Sequence, residues 1–191
     1  MESKVITFFL VRHGEAESNA SAILSSYPEV RDFHLTDKGR GQIEKTAEFL
    51  KSENIDAIIA SPLLRTRESA EIISQAINVP VIHDIRLRET DFGYYNGKRA
   101  AMFFARYPHP LLRLKTNKKV GLEGFVSIRE RVKDFLENVA EEYVGKRVVL
   151  VSHGDTLEQL RGAIEHRKIK TAALGWMPEK GSCTEVVWEL D

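Results

Sequence analysis

Two short apolar runs each stop abruptly at the same kind of turn. Val5-Ile6-Thr7-Phe8-Phe9-Leu10-Val11 ends at Arg12-His13-Gly14-Glu15, and Val148-Val149-Leu150-Val151 ends at Ser152-His153-Gly154. A β-branched and aromatic run with no polar alternation suits a strand covered on both faces. Parallel strands of that kind deliver their last residues to one edge of a sheet, where ligands bind. His13 and His153, about 140 residues apart in sequence, are therefore expected side by side with Arg12. Together they make an anion site with a histidine able to attack.

The remaining chain alternates strand and helix signals. Thr36 can cap a helix that carries Ile43, Ala47 and Leu50 at helical spacing up to Asn54. Ile55–Ala60 reads as a second buried strand, and Ser61-Pro62 as the cap and first position of a helix running to Ile77. Val79–His83 is a third strand, followed by a loop over Leu87–Gly97. Lys98–Tyr107 reads as a helix stopped by Pro108 and Pro110. Lys115–Gly124 is a loop, and Ser127–Tyr143 is a helix with Ile128, Val132, Phe135 and Val139 on one face. Arg147–Val151 is a fourth strand, Thr156–His166 a helix, and Thr184–Leu190 an edge strand. This order predicts an α/β fold: a three-layer α/β/α sandwich with a mainly parallel sheet, one antiparallel edge strand and a small inserted lid. Residues 1–191 are expected to form one domain, with the lid at about 91–124.

Composition excludes several function classes. The formal net charge is zero, so no global field draws the chain to nucleic acid or to a membrane surface. Only seven residues separate Lys4 from Arg12, too few for a signal peptide or a membrane span. The single cysteine, Cys183, cannot form an internal disulfide, which points to a reducing, cytoplasmic setting. No His/Cys/Asp cluster has metal-ligand spacing, so neither a metal nor another cofactor is expected. Charge is uneven, however. Between Tyr94 and Gly124 seven basic residues (Lys98, Arg99, Arg106, Arg113, Lys115, Lys118, Lys119) face one acid, Glu123. Two readings stay open for them, a lid that recruits multiply charged substrates or a solvated loop. Phe103, Phe104 and Tyr107 are expected to pack this segment onto the core.

Three strands thus end in elements suited to an anion: Arg12-His13, Ser61-Pro62-Leu63-Leu64-Arg65 and His153-Gly154. Glu89, in Leu87-Arg88-Glu89-Thr90-Asp91-Phe92-Gly93, is the acid that follows a strand end. With Asn19 and the Leu35-Thr36-Asp37-Lys38-Gly39 helix start, these five elements in order resemble the histidine phosphatase superfamily, which has the phosphoglycerate mutase-like fold. The resemblance covers almost the whole chain. It implies that His13 is a nucleophile forming a phosphohistidine, that Arg12, Arg65 and His153 hold the phosphoryl oxygens, and that Glu89 carries the proton. It further implies substrate contacts from Asn19, Ser25 and Gly154, and a small phosphorylated substrate as partner. Two positions depart from the family pattern. Asp155 stands where relatives often carry a small residue, and Tyr94-Tyr95-Asn96-Gly97 replaces the more usual tryptophan-glutamate-glycine ending. The insertion is short, its only adjacent arginine-containing basic pair is Lys98-Arg99, and Gly121-Leu122-Glu123-Gly124 resembles a turn of phosphatase members. Hydrolysis is therefore expected over mutase-type transfer, with a phosphoprotein phosphatase and a non-enzymatic phosphate-binding module as the alternatives. Oligomeric state has no sequence signal beyond the edge strand.

Overall fold

The computed structural model describes residues 4–190. Its strands are β1 (Lys4–Arg12), β2 (Ala57–Ala60), β3 (Val81–His83), β4 (Arg147–Ser152) and β5 (Cys183–Leu190), in the sheet order β3-β2-β4-β1-β5. All neighbouring pairs are parallel except β1 with β5. The helices are α1 (Glu17–Ala20), α2 (Asp37–Leu50), α3 (Leu64–Ile77), α4 (Ala100–Arg106), α5 (Phe125–Glu142), α6 (Gly154–Ile164) and α7 (Ile169–Gly175). Among the described residues no helix is long and apolar enough to cross a membrane.

The unbroken apolar character of the central strands follows from cover on both faces. Ile6, Phe8, Leu10, Ile59, Val148 and Leu150 pack with Phe125, Ile128, Val132, Phe135, Leu157 and Leu160 of α5 and α6. The alternate residues Phe9, Val11, Ile58, Val149 and Val151 pack with Ile43, Ala47, Leu50, Ala70 and Ile73 of α2 and α3. The result is the three-layer sandwich expected, with β5 as its antiparallel edge. Residues 85–124 leave this frame between β3 and α5. They hold three short 3-10 turns and α4, and gather their own small core of Phe92, Phe103, Tyr107 and Leu122.

Several boundaries differ from the sequence reading for local reasons. β2 starts at Ala57 and β3 at Val81 because pairing partners exist only from there. α6 begins at Gly154, directly on the end of β4, not at Thr156. α3 begins at Leu64, with neither Ser61 nor Pro62 inside it. Its cap comes from far away, since Leu64 N–H donates to the Glu29 carboxylate at 2.8 Å. α7 has no counterpart in the sequence reading, because Ile169, Ala172 and Ala173 mark too few turns for a periodic signal.

Candidate active site

Register alone brings the distant motifs together. Arg12 pairs with Ser152, and Val11 and Ala60 both pair with Val151, so β1, β4 and β2 run out at one level. His13 N–H then donates to Ser152 O (3.1 Å), and Ser61 N–H to Val151 O (3.0 Å). The two imidazoles come to lie with centroids 5.1 Å apart. Gly14 makes this possible on the α2 side. A Cβ on it would stand 2.3 Å from the Gly39 carbonyl oxygen, backbone against backbone. Arg12, His13, Asn19, Ser25, Arg65, Glu89 and Gly154 all line one cavity of about 470 Å³. His153 lies beneath it, fully buried.

Hydrogen bonding fixes the state of both rings. His13 Nδ1 lies 2.7 Å from Gly14 O; a carbonyl only accepts, so Nδ1 carries the proton and Nε2 keeps its lone pair. Arg65 Nε donates to that Nε2 at 3.3 Å. Arg65 Nη2 donates to His153 Nδ1 at 3.2 Å, which leaves the His153 proton on Nε2, donated to Ser61 Oγ at 2.8 Å. Burial, then Arg65, lowers the pKa of each imidazole well below the usual value, with Arg12 acting in the same direction. Both rings are neutral at pH 7.

The cationic partners are held with equal care. Arg65 is buried and donates to Ser25 O (3.0 Å), to Ser25 Oγ (3.3 Å) and to Glu29 (3.2 Å). Ser25 thus positions Arg65 as well as lining the cavity. Arg12 donates from Nη1 to Pro178 O at 2.7 Å, while its buried Nε has no partner. An unmet buried donor costs about 1–3 kcal/mol. Asn19 uses its Oδ1 to accept from Ala16 N–H at 3.0 Å. The first turn of α6 presents its N-terminal end to the cavity at Gly154, where an added Cβ would collide with Met177 at 2.5 Å.

Glu89 enters from a rigid loop. Ser152 Oγ donates to Leu87 O (2.6 Å), and Thr156 Oγ1 to Arg88 O (2.6 Å). Thr90 Oγ1 donates to Asp155 at 2.8 Å. Glu89 accepts from Thr90 N–H at 2.9 Å, and its other oxygen stands 4.0 Å from His153 Nδ1. Burial chiefly, and then the nearby Asp155 carboxylate, push its pKa up to about 7 against the pull of Arg65. A carboxyl poised there can give a proton at one stage and take one at the next.

The cationic segment differs from the recruiting lid considered above. Of its seven basic residues only Arg113 lines the cavity, and Arg113 is buried in a pair with Asp155 at 2.7 Å. Lys115, Lys118 and Lys119 are exposed elsewhere, and the Lys98 ammonium sits over the Tyr94 ring. Asp155 therefore meets an arginine of the insertion instead of opposing the phosphate-holding charges. Phe103 and Tyr107 pack into the insertion's own core instead of onto the main one, whereas Phe104 is 55% exposed and lines the cavity. Sequence reasoning also passed over Ser61, Met177 and Lys180. Lys180 lines the cavity, its pKa lowered by burial and Arg12. A signal existed for it: an antiparallel edge strand must start where β1 ends. Among the described residues no group of three or more His, Cys, Asp or Glu side chains is arranged to hold a metal.

A sequence profile described as "Histidine phosphatase superfamily (branch 1)" matches residues 8–191. Phosphoserine phosphatase 1 of Hydrogenobacter thermophilus is 35% identical over 153 residues, spanning 78% of this chain and 71% of the relative. A probable phosphoglycerate mutase GpmB of Photorhabdus laumondii is 33% identical over 164 residues, 84% of this chain and 75% of that one. Among solved structures, a mycobacterial glucosyl-3-phosphoglycerate phosphatase superposes with a TM-score of 0.80 at 25% identity, over 96% of this chain and 91% of the other. The chain belongs to the histidine phosphatase superfamily and is an enzyme of the histidine phosphatase type.

Proposed function

We propose that this protein is a cytoplasmic, metal-independent phosphomonoester hydrolase that works through a phosphohistidine at His13, on a small phosphorylated metabolite. The single observation that carries this reading is the pairing of two proton states around one cavity. His13 keeps an unprotonated Nε2, whose lone pair Arg65 Nε holds until substrate arrives, and Glu89 is poised to ionise at about pH 7. In the first half-reaction Arg12 and Arg65 turn their N–H groups to the phosphoryl oxygens, with the α6 N-terminus, while His153 braces Arg65 from beneath. His13 Nε2 attacks phosphorus, the bond to the ester oxygen breaks, and Glu89 gives that oxygen its proton. In the second half, Glu89 takes a proton from water as its oxygen attacks phosphorus. The P–N bond then breaks, inorganic phosphate leaves, and both groups return to their starting states. Asn19, Ser25 and Gly154 complete the phosphoryl pocket, and residues 91–124 act as a lid on a single domain.

The relatives named as probable mutases bring a second reading, phosphoryl transfer back to substrate. The cavity favours hydrolysis, because the arginine its insertion contributes is already neutralised by Asp155. Rapid quench into alkaline detergent during turnover of a ³²P-labelled monoester tests the mechanism. Label should appear on His13, acid-labile and alkali-stable, and disappear in His13→Ala together with phosphate release. Label on another side chain, or unchanged turnover in His13→Ala, would refute it.

A further inference from the structure

The cavity is larger than a phosphoryl group requires. At about 470 Å³ it falls among sites that enclose a whole small-molecule ligand, about 300–1,000 Å³. Beyond the phosphoryl cradle, and besides Arg113, Asp155 and Lys180, its wall is largely apolar and comes from three separate parts of the chain. Ile23 and Leu24 follow α1, Phe92, Phe103 and Phe104 belong to the insertion, and Met177 precedes β5. Phe104 and Met177 are 55% and 52% exposed, so large apolar surfaces face the cavity without protein cover.

Both acids lining the cavity are already committed, whereas Lys180 lines it as a cation. The acids are Glu89 and Asp155. Asp155 is held by Arg113 (2.7 Å) and by Thr90 (2.8 Å), and Glu89 is the proton carrier of the proposed reaction. An ammonium group on a substrate would therefore meet no free carboxylate, and burying it unpaired is costly. A branched or aromatic body, in contrast, would cover Phe104 and Met177 at no polar cost.

Resting on the phosphohydrolase reading of the site, we infer that Ile23, Leu24, Phe92, Phe103, Phe104 and Met177 form a leaving-group subsite for a bulky apolar alcohol. The preferred substrates are then phosphomonoesters of branched aliphatic or aromatic alcohols, and phosphoamino acids are poor ones, including the substrate named for the relative from Hydrogenobacter thermophilus.

The test is kcat/KM of the full chain, by phosphate release, across ethyl, propyl, butyl and isopentyl phosphates, whose alcohols leave with similar ease. Each buried methylene should raise kcat/KM about fourfold, and O-phosphoserine should fall below propyl phosphate. Phe104→Ala, a substitution at an exposed helical position that alanine tolerates, should cut the isopentyl-to-ethyl ratio about tenfold. A flat series, an unmoved ratio in Phe104→Ala, or phosphoserine at or above propyl phosphate overturns the subsite, provided turnover still vanishes in His13→Ala. Turnover that survives His13→Ala, or none at all on any of these esters or on p-nitrophenyl phosphate, overturns the phosphohydrolase reading beneath it.

Discussion

Replacing Asp155 by asparagine tests how the insertion sets the proton affinity of Glu89. The amide keeps the shape and can still accept from Thr90, but it removes the negative charge that helps hold Glu89 at about 7. It also frees the Arg113 cation that Asp155 now neutralises, and both changes favour ionised Glu89. Burial is the larger cause of the rise to about 7; for the neighbouring charge we take roughly one pH unit, about 1.4 kcal/mol, as the size of the effect. With a midpoint of about 6 in place of 7, protonated Glu89 at pH 7.5 falls from roughly a quarter to roughly a thirtieth. Activity should drop about eightfold at pH 7.5 and hardly at all at pH 5. The assay is kcat/KM for an alkyl phosphate, expressed as variant over wild type at each pH, which cancels the ionisation of the substrate itself. A ratio independent of pH would mean that Asp155 only braces the fold, and the electrostatic reasoning would be wrong.

Four further variants probe other parts of the site and the fold. Ser61→Ala removes the acceptor for His153 Nε2–H, leaving a buried donor worth about 1–3 kcal/mol; kcat should fall about tenfold in single-turnover measurements, with folding intact by circular dichroism. Gly14→Ala drives a methyl into the Gly39 backbone; a loss of about 3 kcal/mol should lower Tm by about 6–12 °C in calorimetry. Changing Lys115, Lys118 and Lys119 together to glutamine should alter kcat/KM by less than about twofold at physiological salt, where charges farther than about 8 Å are screened. Glu158, inside α6, is pushed up to about 8 by burial and Asp155, from about 4.5 in the unfolded chain, so its ionisation costs stability as pH rises through that window. Glu158→Gln should remove about 2 kcal/mol, discounted for partial solvent contact, of the stability difference between pH 5 and 8.5 in urea titrations.

The strands of the fold were legible because complete burial leaves a simple mark: β1 and β4 are apolar at every position that packs. The convergence of Arg12, His13 and His153 followed from that mark, since parallel strands end together. What escaped were relations the chain makes across space with no local pattern. Ser61 resembles a helix cap, and its hydroxyl instead receives the His153 proton. Glu29, in a stretch with no periodicity, both caps α3 and braces Arg65. Arg113 counted as one cation among seven until its pairing with Asp155 singled it out. Charge totals over a segment do not say which way any one side chain turns.

The contact between Arg12 and the backbone at Pro178, with Gly181 N–H bonded to the Arg12 and His13 carbonyls, ties the first strand to the approach to the last. During synthesis on a ribosome, His13 emerges more than 160 residues before Pro178 and Gly181, which wall it. A nascent chain should thus remain inert toward phosphate esters until β5 has cleared the exit tunnel and docked.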